Sequence, residues 1–245
     1  MKKLFLKILI GIITLVLLLK ILTSIFIEPW LEGKISTELN KEGRNYIIEL
    51  DKVKILILKS GIELAGIKIY SKHEDGGARD LSGEIVSVKL TGINLAKAIF
   101  MHDIYIRKVT ISNSSIKGKI PFSGKAKPPL ISPVKIGIGR MLFDQLNLEI
   151  ENDSTGQIYS VKEGELKAYD LQVEKLDTLF PGTIKLFDFK AGELVFVSSD
   201  KMYSYIVKGI SYPANTNTLV IDSLFIRPRY TDYDFTSRYN YQTNR

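Results

Sequence analysis

Two periodicities divide the chain. Leu4–Ile27 is apolar on every side, broken only by Lys7 and Lys20. As a helix this stretch is about 36 Å long, enough to cross a ~30 Å hydrocarbon core with some tilt. Lys20 lies near its far end and can snorkel towards the headgroups, and Trp30, just after Glu28-Pro29, suits an interface. The rival reading is a cleaved signal peptide, with Met1–Lys7 as its charged part and Ile8–Leu19 as its apolar part. However, Lys20–Trp30 holds neither Ala nor Gly for a small-x-small cleavage site, so residues 1–27 are expected to stay as a transmembrane anchor.

After the anchor, Glu28–Lys41 predicts a short helix. Pro29 suits its first turn, Gly43 its C-terminal cap, and Leu31, Ile35 and Leu39 form a stripe facing either the membrane surface or the domain. From Tyr46 the period becomes two. Val53–Lys59 and Glu84–Leu90 read as strands, and Ser60-Gly61 and Asp75-Gly76-Gly77 as turns. Ile93–Met101 predicts a second short helix capped by Asn94. Pro121–Pro133 carries four of the eight prolines and reads as a loop between two β subdomains, 28–120 and 134–245.

Within these β regions one pattern recurs: apolar, x, apolar, x, x, apolar, x, apolar. It occurs at Ile62/Leu64/Ile67/Ile69, Ile104/Ile106/Val109/Ile111 and Met141/Phe143/Leu146/Leu148. It returns at Leu166/Ala168/Leu171/Val173, Ile184/Leu186/Phe189/Ala191 and Leu219/Ile221/Leu224/Ile226. Alternation that slips by one and resumes marks a bulge or sharp bend that keeps one face apolar. The instances start at uneven intervals, between 18 and 42 residues, so this is no fixed-period solenoid. The predicted fold is mainly β: long, bent strands in one curved antiparallel sheet. A helix or second sheet is the expected cover for its apolar face, as in a sandwich. The alternative is an open groove for acyl chains, with Ile62, Leu64, Ile104, Ile106, Leu146 and Leu148 as candidate groove residues.

Charge alters this picture little. The net charge is +7, but Lys2, Lys3, Lys7 and Lys20 lie in the first twenty residues, and the remainder carries 30 bases against 27 acids. The acid-free basic start predicts a cytoplasmic N-terminus, with residues 28–245 on the other side. A mixed, weakly basic surface does not call for nucleic acid. With no cysteine there is no disulfide scaffold, thiolate ligand, Cys nucleophile or lipidated cysteine.

The search for chemistry returns little. His73 sits in a predicted polar turn and His102 at a helix–strand junction, neither with metal-like spacing to other ligands. There is no Gly-x-Ser-x-Gly elbow and no phosphate-binding glycine loop. Glu149 and Glu151 alternate onto one strand face and read as solvated. The tail Arg227–Tyr241 interleaves Arg with aromatics, which could stack on bases, but Asp232 and Asp234 would repel phosphate, and a disordered or docking tail is expected. Asn113-Ser-Ser115 and Asn152-Asp-Ser154 match the short glycosylation pattern. No catalytic residue, metal or cofactor is expected.

The order of parts resembles the AsmA-like proteins, a superfamily that includes bridge-like proteins of the bacterial envelope. The matching elements are the N-terminal membrane helix, a short helix ending in Asn40-Lys-Glu-Gly-Arg-Asn45, and the strand pair Tyr46–Leu58. Gly61-Ile-Glu-Leu-Ala-Gly-Ile-Lys-Ile69 follows, then Gly92-Ile-Asn-Leu-Ala-Lys-Ala-Ile-Phe100 leading into Ile104-Tyr-Ile-Arg-Lys-Val-Thr-Ile111 and the polar Ser112-Asn-Ser-Ser115 turn. The resemblance is best over residues 1–120 and rests on an order of patterns, with no chemical motif. The chain is shorter than most family members and its tail reads like a mid-protein connection, so a truncated or N-terminal-segment member is expected. The resemblance implies an inner-membrane protein projecting into the periplasm, in outer-membrane biogenesis, with phospholipid carried along a hydrophobic β groove and no catalytic residues. The other expectation is a membrane-anchored β-sandwich scaffold binding another envelope protein.

Overall fold

The computed structural model describes residues 2–40, 46–71, 80–94, 103–120, 131–175, 182–230 and 234. Helix α1 (Lys2–Leu22) runs through a π-turn at Thr23–Ile27 into α2 (Glu28–Leu39), so the anchor and the expected short helix are one continuous rod. Its stretch Leu9–Leu39, 31 residues, is long and apolar enough to cross a membrane. Leu9, Ile12, Leu15, Leu19, Ile25 and Phe26 are all exposed, as in a helix whose solvent is lipid. The rod ends earlier than Lys41. Asn40 closes it, its backbone N–H and its side-chain amide both donating to the Ser36 carbonyl at 3.1 and 3.0 Å.

The rest is one sheet. Its strands are β1 (Tyr46–Leu56), β2 (Gly61–Ser71), β3 (Asp80–Ile93), β4 (Asp103–Ile120), β5 (Ile131–Asn152), β6 (Ile158–Lys175), β7 (Gly182–Thr183), β8 (Leu186–Val197), β9 (Tyr203–Tyr212) and β10 (Val220–Pro228). They lie in chain order, with short β7 off the main path beside β6. Every pairing is antiparallel except β4–β5, which is parallel. That parallel pair is where the two expected β subdomains meet, and the sheet runs through it without a break. The sheet does not close: β1 and β10 are its two edges.

Several local expectations shift. Strand β1 stops at Leu56, and Ile57–Lys59 is a single 3₁₀ turn leading to left-handed Ser60. The expected helix over 93–101 begins inside a strand, because β3 runs to Ile93; residues 95–100 lie outside the described residues. The expected loop 121–133 is a strand from Ile131 onward, and Asp75-Gly76-Gly77 lies outside the described residues.

The slipped alternation has a physical origin in a crease. In every pairing along the main path the register skips, and the skipped positions line up from strand to strand. Asp51 faces Gly66, Gly66 faces Val86, Val86 faces Asn113, and Asn113 faces Gln145. The line continues through the β5–β6 register shift at Glu163 and Gly164, then Gly192, Gly209 and Asp222. Five of these residues, Gly66, Asn113, Gln145, Glu163 and Gly209, have φ between 50 and 64°. A left-handed residue reverses the pleat, so apolar side chains must be spaced by three across it to remain on one face. A second, shorter line runs through Gly92, Arg107, Gly139 and Asp170, with Gly92 at φ 69° and Asp170 at 52°. Here the consequence is visible: Ile106 and Val109, three apart, are buried in one cluster with Ile138 and Leu171.

Five of the six sequence repeats therefore mark a crease. The sixth does not. Ile184 precedes β8, Leu186 is exposed, and Phe187 and Phe189 take the positions facing Ala168 and Leu166. In β8 the slip is five residues later, at Ala191-Gly192-Glu193-Leu194.

Among the described residues no second layer lies over the sheet. Each strand packs against its sheet neighbours, and α2 packs against β1. The expected covering helix or sheet is not found among the described residues. What α2 covers is an edge. Glu28 accepts the Ile55 N–H at 2.8 Å, Glu32 accepts the Val53 N–H at 3.4 Å, and Asn40 brackets Ile48 with bonds of 2.8 and 2.7 Å. These side chains occupy outward backbone groups that a bare edge strand leaves unpaired. Lys20 pairs with Glu28 at 2.6 Å, tying the membrane-type segment to the same carboxylate.

Two experiments test this framework. Gly66→Val places a β-branched residue at positive φ, with its Cβ against the Asp51 carboxylate, and is expected to cost about 2 kcal/mol, or roughly 5 °C in Tm. Gln145→Gly removes a similar strain already present, so its Tm in detergent should be unchanged or higher; a drop as large as that of Gly66→Val would refute the crease. The second concerns Asp188. The Ala214 N–H at 2.9 Å, assisted by the Tyr169 hydroxyl at 3.0 Å, holds its carboxyl below the ordinary carboxylate range against the opposing effect of burial. A depressed carboxylate stabilises above its unfolded pKa of about 3.9 and ceases to do so as pH falls through the folded value. Asp188→Asn should therefore lower Tm at pH 7 and flatten its decline below about pH 4.

Candidate functional site

Register sorts the apolar side chains into rungs that cross the sheet. One rung runs Ile48, Ile69, Gly83, Ile116, Leu148, Val161, Leu194, Val207, Leu224, touching all nine strands of the main path. On the other side of the crease, Val53, Leu64, Val88, Ile111, Phe143, Leu166, Phe189 and Tyr212 form another. Leu50, Ile67, Ile85, Ser114 and Leu146 border the crease itself. Ser114 is the polar interruption there: it is 1% exposed and its hydroxyl has no hydrogen-bond partner.

The six candidate groove residues all fall on such rungs. Ile62, Leu64, Ile104 and Ile106 lie on one side of the long crease, and Leu146 and Leu148 on the other. Ile106 is buried in the cluster with Val109, Ile138 and Leu171, so it stiffens the face. The other five are only half-buried, because no second layer completes their contacts. The face also contains an element that the sequence reading missed, strand β9. Its signal was present in Val207-Lys-Gly-Ile210, where the apolar spacing of three brackets Gly209 at φ 60°.

The face changes character along the sheet. From β1 to β5 its rungs are mainly aliphatic. From β6 outward aromatics enter: Tyr159 stacks on Phe196 at 5.3 Å, Phe196 on Tyr205 at 5.6 Å, and Phe187 on Tyr212 at 5.3 Å. Offset and tilted pairs of this kind add to area burial.

The opposite face is charged and wet. Cross-strand pairs join Glu63 to Lys89 at 3.3 Å, Lys117 to Glu149 at 3.7 Å, Lys119 to Glu151 at 3.6 Å and Lys162 to Glu193 at 2.7 Å. Glu149 and Glu151 are therefore solvent-facing partners of lysines. The Lys162 ammonium holds the Glu193 carboxyl below the usual range. A shallow depression bordered by Asp80, Lys117, Lys119, Glu149 and Glu151 is lined by two of these Lys–Glu pairs together with Asp80.

Catalytic and metal chemistry has little to build on. Among the described residues, no three His, Cys, Asp or Glu side chains gather as metal ligands. His73, His102 and the tail beyond Tyr230, apart from Asp234, lie outside the described residues. Of the basic–aromatic stretch, Arg227 lies over the Phe225 ring at 5.8 Å from its centroid. Asn152 is 7% exposed and its side chain accepts the Ser154 N–H at 3.0 Å, which removes it as a glycan acceptor.

What the arrangement can do is present a continuous apolar surface, bent along one line, at the end of a membrane-type helix. Comparison with known proteins adds no name: no protein-family model matches the chain, and no curated protein matches it.

Proposed function

We propose that this chain is a single-pass inner-membrane protein whose creased sheet stands in the periplasm and holds or transfers phospholipid along its apolar face, in outer-membrane biogenesis. One observation carries the reading: apolar rungs cross as many as nine strands on a face that no described element covers. Water against such a face is costly, and each acyl methylene laid there gains up to about 0.8 kcal/mol. The large exposed apolar area is the mark of a lipid or protein contact surface. The helix supports the membrane part of the proposal, and the resemblance to AsmA-like proteins supports the envelope part. No catalytic step is required, since binding and sliding on aliphatic rungs need no reactive group. A scaffold that binds another envelope protein is the second reading; in its sandwich form it needs a second layer, which the described strands do not provide.

Two measurements test the proposal in membranes. Photo-reactive residues at Leu64, Ile104, Leu146 and Leu148 are expected to trap phospholipid, whereas the same probe at Lys89 or Lys117 on the charged face is not. Protein adducts alone, at equal incorporation, would leave the lipid reading without support. Because the chain has no cysteine, single substitutions report sidedness cleanly. Lys89→Cys should react with an impermeant maleimide from the periplasmic side, and Lys3→Cys only after the inner membrane is opened. The reverse pattern would invert the topology.

A further inference from the structure

We propose that the Ile57–Lys59 turn of the first hairpin, with the basic end of the charged face beside it, is seated in the phospholipid interface next to the helix, so that the apolar face of the sheet opens directly into the bilayer. The inference rests on the reading of the helix as a membrane span and adds a second membrane contact, made by the sheet itself.

The helix fixes which end of the sheet meets the membrane. Asn40 brackets Ile48, Glu32 accepts the Val53 N–H and Glu28 accepts the Ile55 N–H, so β1 runs back along the rod towards the apolar segment. The Lys20 ammonium then reaches the Ile55 carbonyl at 3.4 Å and the Glu28 carboxylate at 2.6 Å. An ammonium near the end of a membrane-spanning stretch lies at the headgroups, which places Ile55 there as well. The chain continues in the same direction through Leu56 into the Ile57–Lys59 turn. That turn lies beyond the Lys20 ammonium, on the side of the apolar segment. It is held to β3, where the Ile93 N–H donates to the Ser60 carbonyl at 2.9 Å.

The chemistry of the turn suits that depth. Turns in water favour Gly, Asn and Asp, whereas the tip here is Leu58, 86% exposed and flanked by Ile57 and Lys59. An exposed leucine alone is ordinary, but this one sits where hydrocarbon begins. The exposed Lys59 can extend back to the phosphates. Trp30, also exposed, marks the same layer on the rod.

The charged face supplies the complement. Ile55 shares its rung with Ile62, Leu90 and Val109. One residue closer to the membrane, on the charged face, the rung is Thr91, Lys108, Arg140, Tyr169 and Leu186, with two bases and no acid. At the far end of the same strands, β4 and β5, Lys117 and Lys119 are matched by Glu149 and Glu151. The acid-free rung therefore faces the membrane, where lipid phosphates attract it. Asp170, one residue further along β6 and paired with Lys185 at 3.7 Å, keeps this part of the sheet at headgroup depth, so that the first hairpin alone inserts.

The test uses the full chain reconstituted in vesicles of phosphatidylethanolamine and phosphatidylglycerol. Because the chain has no cysteine, an environment-sensitive fluorophore can be attached singly through Leu15→Cys, Leu58→Cys, Arg140→Cys or Lys117→Cys. At Leu58 the emission should shift to the blue and be lost to lipid brominated close to the headgroup. At Leu15 it should be lost to lipid brominated deep in the acyl chain, at Arg140 to lipid spin-labelled on its headgroup, and at Lys117 to none of these. Quenching at Leu15 without quenching at Leu58 overturns the inserted turn and leaves the span intact. Quenching at Arg140 no stronger than at Lys117 overturns the seating of the basic rung. If neither Leu15 nor Leu58 is quenched, the helix does not span and the inference falls with it.

Discussion

The skipped register line from Asp51 to Asp222 is the constraint on which the sheet depends. Every strand of the main path skips a pairing at it, and in five of the nine strands the skip sits on a residue at positive φ, including Asn113, Gln145 and Glu163, which lack glycine's freedom. Such residues cost about 1–2 kcal/mol each in isolation. They persist because neighbouring strands skip at the same level, so that each left-handed residue meets a gap in its neighbour's ladder and the backbone pairing resumes on both sides. A kink in one strand alone would break hydrogen bonds with both neighbours; a kink shared by all of them makes a crease and leaves the ladders intact.

From this crease follow the two faces. Because the pleat reverses there, apolar residues spaced by three remain together, and the charged residues between them form Lys–Glu pairs on the other side. Pairs this exposed contribute little stability singly. Their effect is to make the two faces unmistakably different, which fixes register in strands of up to 22 residues. The buried centre, Ile106, Val109, Ile138 and Leu171, flanks the short crease across β4 to β6, and it supplies local packing that a single-layer sheet otherwise lacks.

The helix connects this sheet to its membrane-type segment through few but specific contacts. Glu28 serves two partners, the Lys20 ammonium and the Ile55 N–H. One carboxylate thus neutralises a base at the end of the apolar segment and caps the edge strand. Both contacts are made with the rod continuing unbroken past Ile27 through the π-turn at Thr23–Ile27.

The sequence by itself determined the period of most of the major elements. A long, uniformly apolar stretch specified a helix long and apolar enough to cross a membrane, and the apolar spacing of three specified strands with a slipped register, since a reversed pleat makes that spacing useful. It missed β9 and misplaced the slip in β8, because there the crease residues Gly209 and Gly192 lie in short apolar runs where aromatics can occupy either phase. It also read the anchor to Ile27 and the short helix Glu28–Lys41 as separate elements, and expected a cover for the apolar face. Tertiary structure decided those points, and it decided that the separate slips line up across neighbouring strands as two creases. A bend is local and can be read from one strand, but the alignment of bends, the exposure of a face and the guarding of an edge depend on which strands are neighbours, and neighbours are set by long-range pairing that no local pattern encodes.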